Sequence, residues 1–211
     1  MAPRKSSENG KTISVKTPSK TSSGSTIRAL EEKLAQREAE LAVINSIQSA
    51  LASKMDFQGI IDAVGDKLGE IFIDGNVGIA LVDKARNVAT VPYVVENGKR
   101  VEYFEVSLDV PSVFQHLFKR RRPILINTKF RERFGGDAAI TFPGRDQHDL
   151  KSWLSVPIIN GDEVIGGISL RNWQRENAFT ESDVRLLQTI ANSMSVALEN
   201  VRLFDETQHL L

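Results

Sequence analysis

The chain has 211 residues, with 27 Lys and Arg against 27 Asp and Glu, three histidines, no cysteine and 41% hydrophobic residues. That length allows one ordinary domain with appendages, or at most two small ones, and the balanced charge gives no argument for a nucleic-acid or membrane partner, so neither is expected. The absence of cysteine excludes disulfides, thiolate zinc sites, thiol nucleophiles and thioether-linked chromophores, and it fits a reducing compartment.

Residues 1–25 are mostly Ser, Thr and Lys with little to bury, which predicts a disordered tail. Its basic residues Arg4, Lys5, Lys11, Lys16 and Lys20 outnumber the acidic Glu8, and a solvated tail explains them more simply than contact with nucleic acid or an acidic surface. No apolar segment follows, so this is not a secretory signal. No run reaches the roughly 18–20 apolar residues that span a bilayer. A cytoplasmic location is therefore expected. Ordered structure should start near Ser25 or Thr26, either of which can cap a helix.

Residues 26–55 carry a heptad seam at Ile27, Leu30, Leu34, Leu41, Ile44, Leu51 and Met55, lapsing at Arg37 and Gln48. This predicts a coiled-coil signalling helix that shares its burial with other helices. A second helix follows Asp56, with Phe57, Ile60, Ile61, Val64, Leu68 and Phe72 on one stripe. Its glycines weaken it by about 1 kcal/mol each relative to Ala, which close approach to a sheet would explain. Strands are expected at 76–84, 88–97 and 99–108, joined by turns at Ala85-Arg86-Asn87 and Asn97-Gly98. Pro92 cannot donate to a ladder and suggests that the second strand is an edge.

The pattern then becomes irregular. A short helix is expected after Pro111, a short strand at 123–127 and a helical turn or two at 128–134. Residues 135–151 read as a long polar loop, of a kind that is commonly functional. From Ser152 the period is that of strands, broken at Asn160-Gly161-Asp162. After Thr180 it becomes that of a helix, with Asp183 completing a capping-box-like start. The seam Leu187, Ile190, Met194, Ala197, Val201 and Phe204 outruns what one small sheet covers. Surplus apolar surface on both terminal helices predicts a homodimer through them.

Several residues carry a resemblance to a known family. They are Trp153-Leu154-Ser155-Val156-Pro157, Gly161 to Leu170, Asn172, Phe179-Thr180, Asp183, Leu186-Leu187, Ala197-Leu198-Glu199-Asn200 and the upstream segment RRPILIN. Over residues 56–204 the chain resembles the GAF family of small-molecule sensor domains. The resemblance implies an α+β, PAS-like fold. A six-stranded antiparallel sheet would carry the long N- and C-terminal helices on one face, with short helices and a loop over the other. It also implies that residues 205–211 begin a linker helix toward a further sensor domain, a histidine kinase or a nucleotide cyclase. A non-enzymatic regulatory role follows, in which an unknown small molecule binds between sheet and loop. The alternative is a ligand-free dimerisation and relay scaffold.

The candidate chemistry is sparse. Gly135-Gly136-Asp137 resembles the start of a diguanylate cyclase signature but lacks its acidic pair, so a plain loop is the better reading. His116, His148 and His209 are too scattered for a metal site, and no metal or cofactor is expected. Cyclic-nucleotide-binding members carry an Asn-Lys pair, a Phe and an Asp-Glu pair. Here Asn172, Phe179 and Asp183 lack the Lys and the Glu. The run Lys119-Arg120-Arg121-Arg122 could grip phosphate, but a solvated helix end is the simpler reading. Of the aromatics Phe104, Phe114, Phe130, Phe134, Phe142 and Trp153, several could simply fill the core. Phe104, Phe142, Arg145, His148 and Trp153 are the expected ligand contacts. No catalytic constellation can be assembled.

Overall fold

The computed structural model describes residues 21–53, 56–72, 76–109, 113–134 and 150–209. The chain divides into two units, Met1–Ala39 and Glu40–Leu211. The described part of the first is helical, and Ile27, Leu30 and Leu34 on it are exposed. Helix α1 runs Thr21–Ala52, so it begins about one turn before the expected cap.

In the second unit, Ile47 and Leu51 of α1 are buried. Helix α2 (Phe57–Ile71) starts at Asp56, whose carboxylate accepts from the Gly59 amide at 2.6 Å. That bond satisfies one of the orphan donors of the first turn. Strands β1 (Asn76–Asp83), β2 (Val88–Glu96), β3 (Lys99–Arg100) and β4 (Phe104–Ser107) follow. Next come helix α3 (Val113–Arg120), strand β5 (Ile124–Ile126), helix α4 (Phe130–Phe134), strands β6 (Ser152–Asn160) and β7 (Glu163–Asn172), and helix α5 (Glu181–His209). The expected helix after Pro111, the short strand and the helical turn before residue 135 are all present.

Among the described residues all strand pairs are antiparallel, in the order β3-β2-β1-β7-β6-β5, with β4 also pairing with β2. β3 and β4 occupy successive stretches of the same side of β2, so the sheet is six positions wide. The single strand expected at 99–108 is therefore split. Its break lies opposite Pro92, between the β4 ladder, which ends at Val91, and the β3 ladder, which starts at Val95. β2 is internal, and this corrects the edge reading. Pro92 is accommodated because the register with β1 also shifts beside it, between Ile79 and Leu81. A bulge releases proline from the donation that it cannot make.

The sheet separates two apolar clusters. Toward α1, α2 and α5 lie Val77, Ile79, Tyr93, Leu154, Val156, Ile158, Ile168 and Leu170, packed against Ile60, Val64, Leu68, Leu187, Ile190 and Met194. The opposite face holds Ala80, Ala89, Val91, Val94 and Trp153 with Leu117 of α3 and Phe130 of α4. Long helices thus cover one face and short helices the other. Alternation along β6 and β7 produces the division, since successive side chains point to opposite faces.

The start of α5 is a reciprocal box. The Thr180 amide donates to Asp183 at 2.7 Å, and the Asp183 amide donates to the Thr180 hydroxyl at 3.3 Å. Of the expected seam, Leu187, Ile190, Met194 and Val201 are buried, whereas Phe204 is 51% exposed. Apolar surface does extend beyond the sheet.

Candidate functional site

The face beneath α3 and α4 carries a charged centre. Ile168 and Leu170 of β7 turn toward the long helices, so Ser169 and Arg171 turn the other way. Val95 of β2 packs with the long-helix core, so Glu96 shares the face of Arg171. The two side chains meet over β1. Asn76 is in register with Arg171 on one side, and its neighbour Val77 with Val95 on the other.

Arg171 is 1% exposed. Its Nε donates to Glu96 Oε1 at 2.8 Å, and its Nη2 lies 2.7 Å from the same oxygen. Nη1 donates to Ser169 Oγ at 3.2 Å and Nη2 to the Val77 carbonyl at 3.3 Å. The second Glu96 oxygen accepts from Trp173 Nε1 at 3.1 Å. Burial pulls the Arg171 guanidinium below its ordinary pKa, and the Glu96 charge opposes that pull. Gly78 makes the arrangement possible. A Cβ there would lie 2.8 Å from Arg171 Nη1 and 3.0 Å from Ser169 Oγ, so any side chain would displace the guanidinium.

Around this pair the surface is apolar. Trp153 is buried and meets Phe130 edge to face, with ring centroids 6.0 Å apart. Phe104 is half-buried against the same cluster. Two of the five expected ligand contacts, Phe104 and Trp153, thus lie on this face of the sheet, on strands β4 and β6. Phe142, Arg145 and His148 lie outside the described residues, as do Gly135-Gly136-Asp137 and residues 1–20. His116 is half-buried on α3. His209 ends α5. Among the described residues no group of His, Asp and Glu could hold a metal ion.

Asn172 and Asp183 have structural duties. Asn172 Oδ1 accepts from the amides of Gln174 and Arg175 at 3.0 and 2.8 Å, which turns the chain out of β7. Asn127 and Ser152 continue the fastening. Asn127 Nδ2 donates to the Phe179 carbonyl at 2.7 Å, and Ser152 Oγ to that of Arg175 at 2.8 Å. At the other end of the hairpin, Asn160 Nδ2 donates to Glu199 at 2.8 Å and Ser195 Oγ to the Ile159 carbonyl at 2.7 Å. Both ends of the β6–β7 hairpin are thereby tied to α5 or its approach.

Glu96 and Arg171 were not among the expected site residues. The available signal was a lone arginine at a face-alternating position of an otherwise apolar strand.

An antiparallel sheet between one long-helix layer and one short-helix layer, entered through the β6–β7 hairpin, matches a described family. The family model for the GAF domain matches residues 54–199. The chain belongs to the GAF domain family. GAF domains are sensory and regulatory modules, and relatives of this one include signalling proteins. The formate hydrogenlyase transcriptional activator FhlA of Escherichia coli (strain K12) is 21% identical over 182 residues, covering 85% of this chain and 26% of that protein. The chain thus spans about a quarter of that relative's length. Among solved structures, the GAF domain from a phosphoenolpyruvate-protein phosphotransferase of Coxiella burnetii superposes with a TM-score of 0.65 at 16% identity, over 79% of this chain and 96% of that one. Free methionine-R-sulfoxide reductase from Neisseria meningitidis, solved in complex with its substrate, gives a TM-score of 0.59 at 16% identity, over 78% and 90% of the two chains. The GAF fold thus also occurs in enzymes. No described helix is long and apolar enough to cross a membrane.

Proposed function

We propose that this GAF domain is a non-enzymatic cytoplasmic sensor that binds a small molecule on the sheet face around Glu96, Arg171, Trp153 and Trp173 and relays occupancy through its terminal helices to an output module. The observation that carries this reading is the buried ion pair at the centre of an otherwise apolar face. Small-molecule sites are built in this way, from apolar walls with a few fixed polar groups. A charged pair retained inside a core is costly unless it is well bonded, and here Ser169, Val77 and Trp173 complete it. Phe104, Phe142, Arg145, His148 and Trp153 remain the proposed ligand contacts. The non-enzymatic part rests on the lack of cysteine, which removes thiol chemistry, and the cytoplasmic part on its fit to a reducing compartment.

Relay uses the hairpin. A ligand that favours one position of β6 and β7 biases α5 through Asn160–Glu199 and Ser195–Ile159. The proposed output geometry is a homodimer. A groove of about 480 Å³ between the end of α1 and α5 is lined by Leu51, Val196, Val201 and Phe204, with Val196 62% exposed. Thermal-shift and calorimetric screening of metabolites against the full chain tests the ligand reading. A saturable ligand that loses affinity in Trp173→Ala supports it, and silence across a broad screen overturns it.

One observation favours a ligand-free scaffold instead. Trp153, an expected ligand contact, is only 2% exposed and packs on Phe130. A scaffold keeps its dimer and its output after deletion of residues 135–150, whereas a sensor loses its ligand response.

A further inference from the structure

A second cleft lies at the outer edge of β5. His116 and Arg120 of α3, residues 123–126 and Arg133 of α4 line a space of about 430 Å³. Successive strand residues alternate between sheet faces, so a cleft that touches all of residues 123–126 follows the strand's edge. β5 ends the sheet, with β6 as its neighbour among the described residues. Half of its backbone polar groups therefore point away from β6.

The charge of this cleft is one-sided. Among the described residues its lining holds two guanidiniums and an imidazole and no carboxylate. His116 and Arg120 are four residues apart on α3 and share one helix face, while Arg133 comes from a separate helix. Among the described residues, neither arginine makes an ion pair or a side-chain hydrogen bond. Among the described acids, Glu132, next to Arg133 in the chain, pairs with Lys129 at 3.2 Å, and Asp162 pairs with Arg121, next to Arg120, at 3.8 Å. Favourable interaction with the C-terminal end of α3 accounts for Arg120. It does not account for Arg133 on a different element facing the same space.

We propose that this cleft binds the dianionic phosphate of a small molecule, held between Arg120 and Arg133 with His116 beside it. Guanidinium forks match phosphate oxygens in geometry and charge. The three-residue β5 offers too few ladder bonds to hold an extended peptide, and short edge strands resist such pairing. Glu96, Arg171 and Trp173 do not line the cleft, so this proposal stands or falls independently of the sheet-face site.

Calorimetric titration of the full chain with pyrophosphate, AMP and cyclic AMP at about 150 mM salt, where diffuse surface attraction is screened, tests the proposal. The variants are Arg120→Ala/Arg133→Ala and, as a control, Lys119→Ala/Arg122→Ala. All four side chains are exposed, so both variants keep the wild-type melting temperature. The expected result is saturable pyrophosphate binding, weakened about tenfold or more in the first variant and by less than about twofold in the second. Cyclic AMP, a diester with a single charge, binds more weakly than pyrophosphate or AMP. Binding of pyrophosphate alone identifies a free inorganic anion as the source, and binding of AMP as well identifies a phosphate monoester. Absence of saturable binding, equal loss in both variants, or cyclic AMP binding as tightly as AMP overturns the proposal.

Discussion

Substituting Glu96 exposes the energetics of the sheet-face centre. Its carboxylate is 10% exposed, holds Arg171 through contacts of 2.8 and 2.7 Å and accepts from Trp173. Glu96→Ala removes one member of a buried pair and leaves the desolvated guanidinium without its carboxylate, a change that costs about 3–5 kcal/mol. In a domain of this size each kcal/mol moves the melting temperature by about 2–4 °C, so the midpoint falls by roughly 6–20 °C. Glu96→Gln keeps an acceptor of the same shape and loses less, about 1.5–3 kcal/mol. The double substitution Glu96→Leu/Arg171→Met removes both charges and recovers much of the loss, because the unpaired charge is the costly species. Urea and thermal unfolding followed by circular dichroism measure all three. A Glu96→Ala loss below about 1 kcal/mol, or a double variant no more stable than Glu96→Ala, refutes the assignment of this pair as a desolvated centre.

Two glycines of α2 should respond oppositely to alanine. At Gly65 an added Cβ would fall 2.3 Å from the Tyr93 ring, which is held by its bond to Asp66 and by the Arg100 guanidinium 3.7 Å above it. Gly65→Ala should therefore cost about 1–3 kcal/mol. Gly69 has open space around it, so Gly69→Ala should stabilise the protein by about 0.5–1 kcal/mol; urea midpoints decide both. Asp183→Ala removes the reciprocal box at the start of α5 and should cost about 1 kcal/mol in the same assay. Arg86, followed by Tyr103, holds the Glu105 carboxyl below its ordinary value of 4.5. A lowered folded-state pKa contributes stability above the unfolded value and loses it as pH falls through the folded value. Arg86→Ala should thus flatten the decline in melting temperature below pH 4.5, and an unchanged acid limb would count against the pairing.

What was readable from sequence follows the range of the forces involved. The β6–β7 hairpin, the box at Thr180 and Asp183, and the stripe on α2 are written in neighbouring residues, so periodicity and cap chemistry reveal them. Of the three α2 glycines, a close approach to the sheet explains Gly65, whereas Gly69 faces open space. Pro92 fits either an edge or a bulge, and only the register of β1 against β2 distinguishes them. The division of residues 99–108 was hidden because alternation continues through the break. The Glu96–Arg171 pair was least legible. Its members are 75 residues apart and meet only because β1 lies between their strands and Gly78 leaves room above it. A long-range register of this kind leaves almost no local trace.

The sensor reading has a built-in reporter. The chain contains two tryptophans, and both Trp153 and Trp173 are buried in the cluster on the proposed binding face. A fluorescence titration of the full chain against a metabolite library therefore observes that face alone. The account predicts a saturable shift in emission with at least one small molecule, abolished when Trp173 is replaced by Ala. Emission unchanged by every compound, including any that binds by calorimetry, would contradict it.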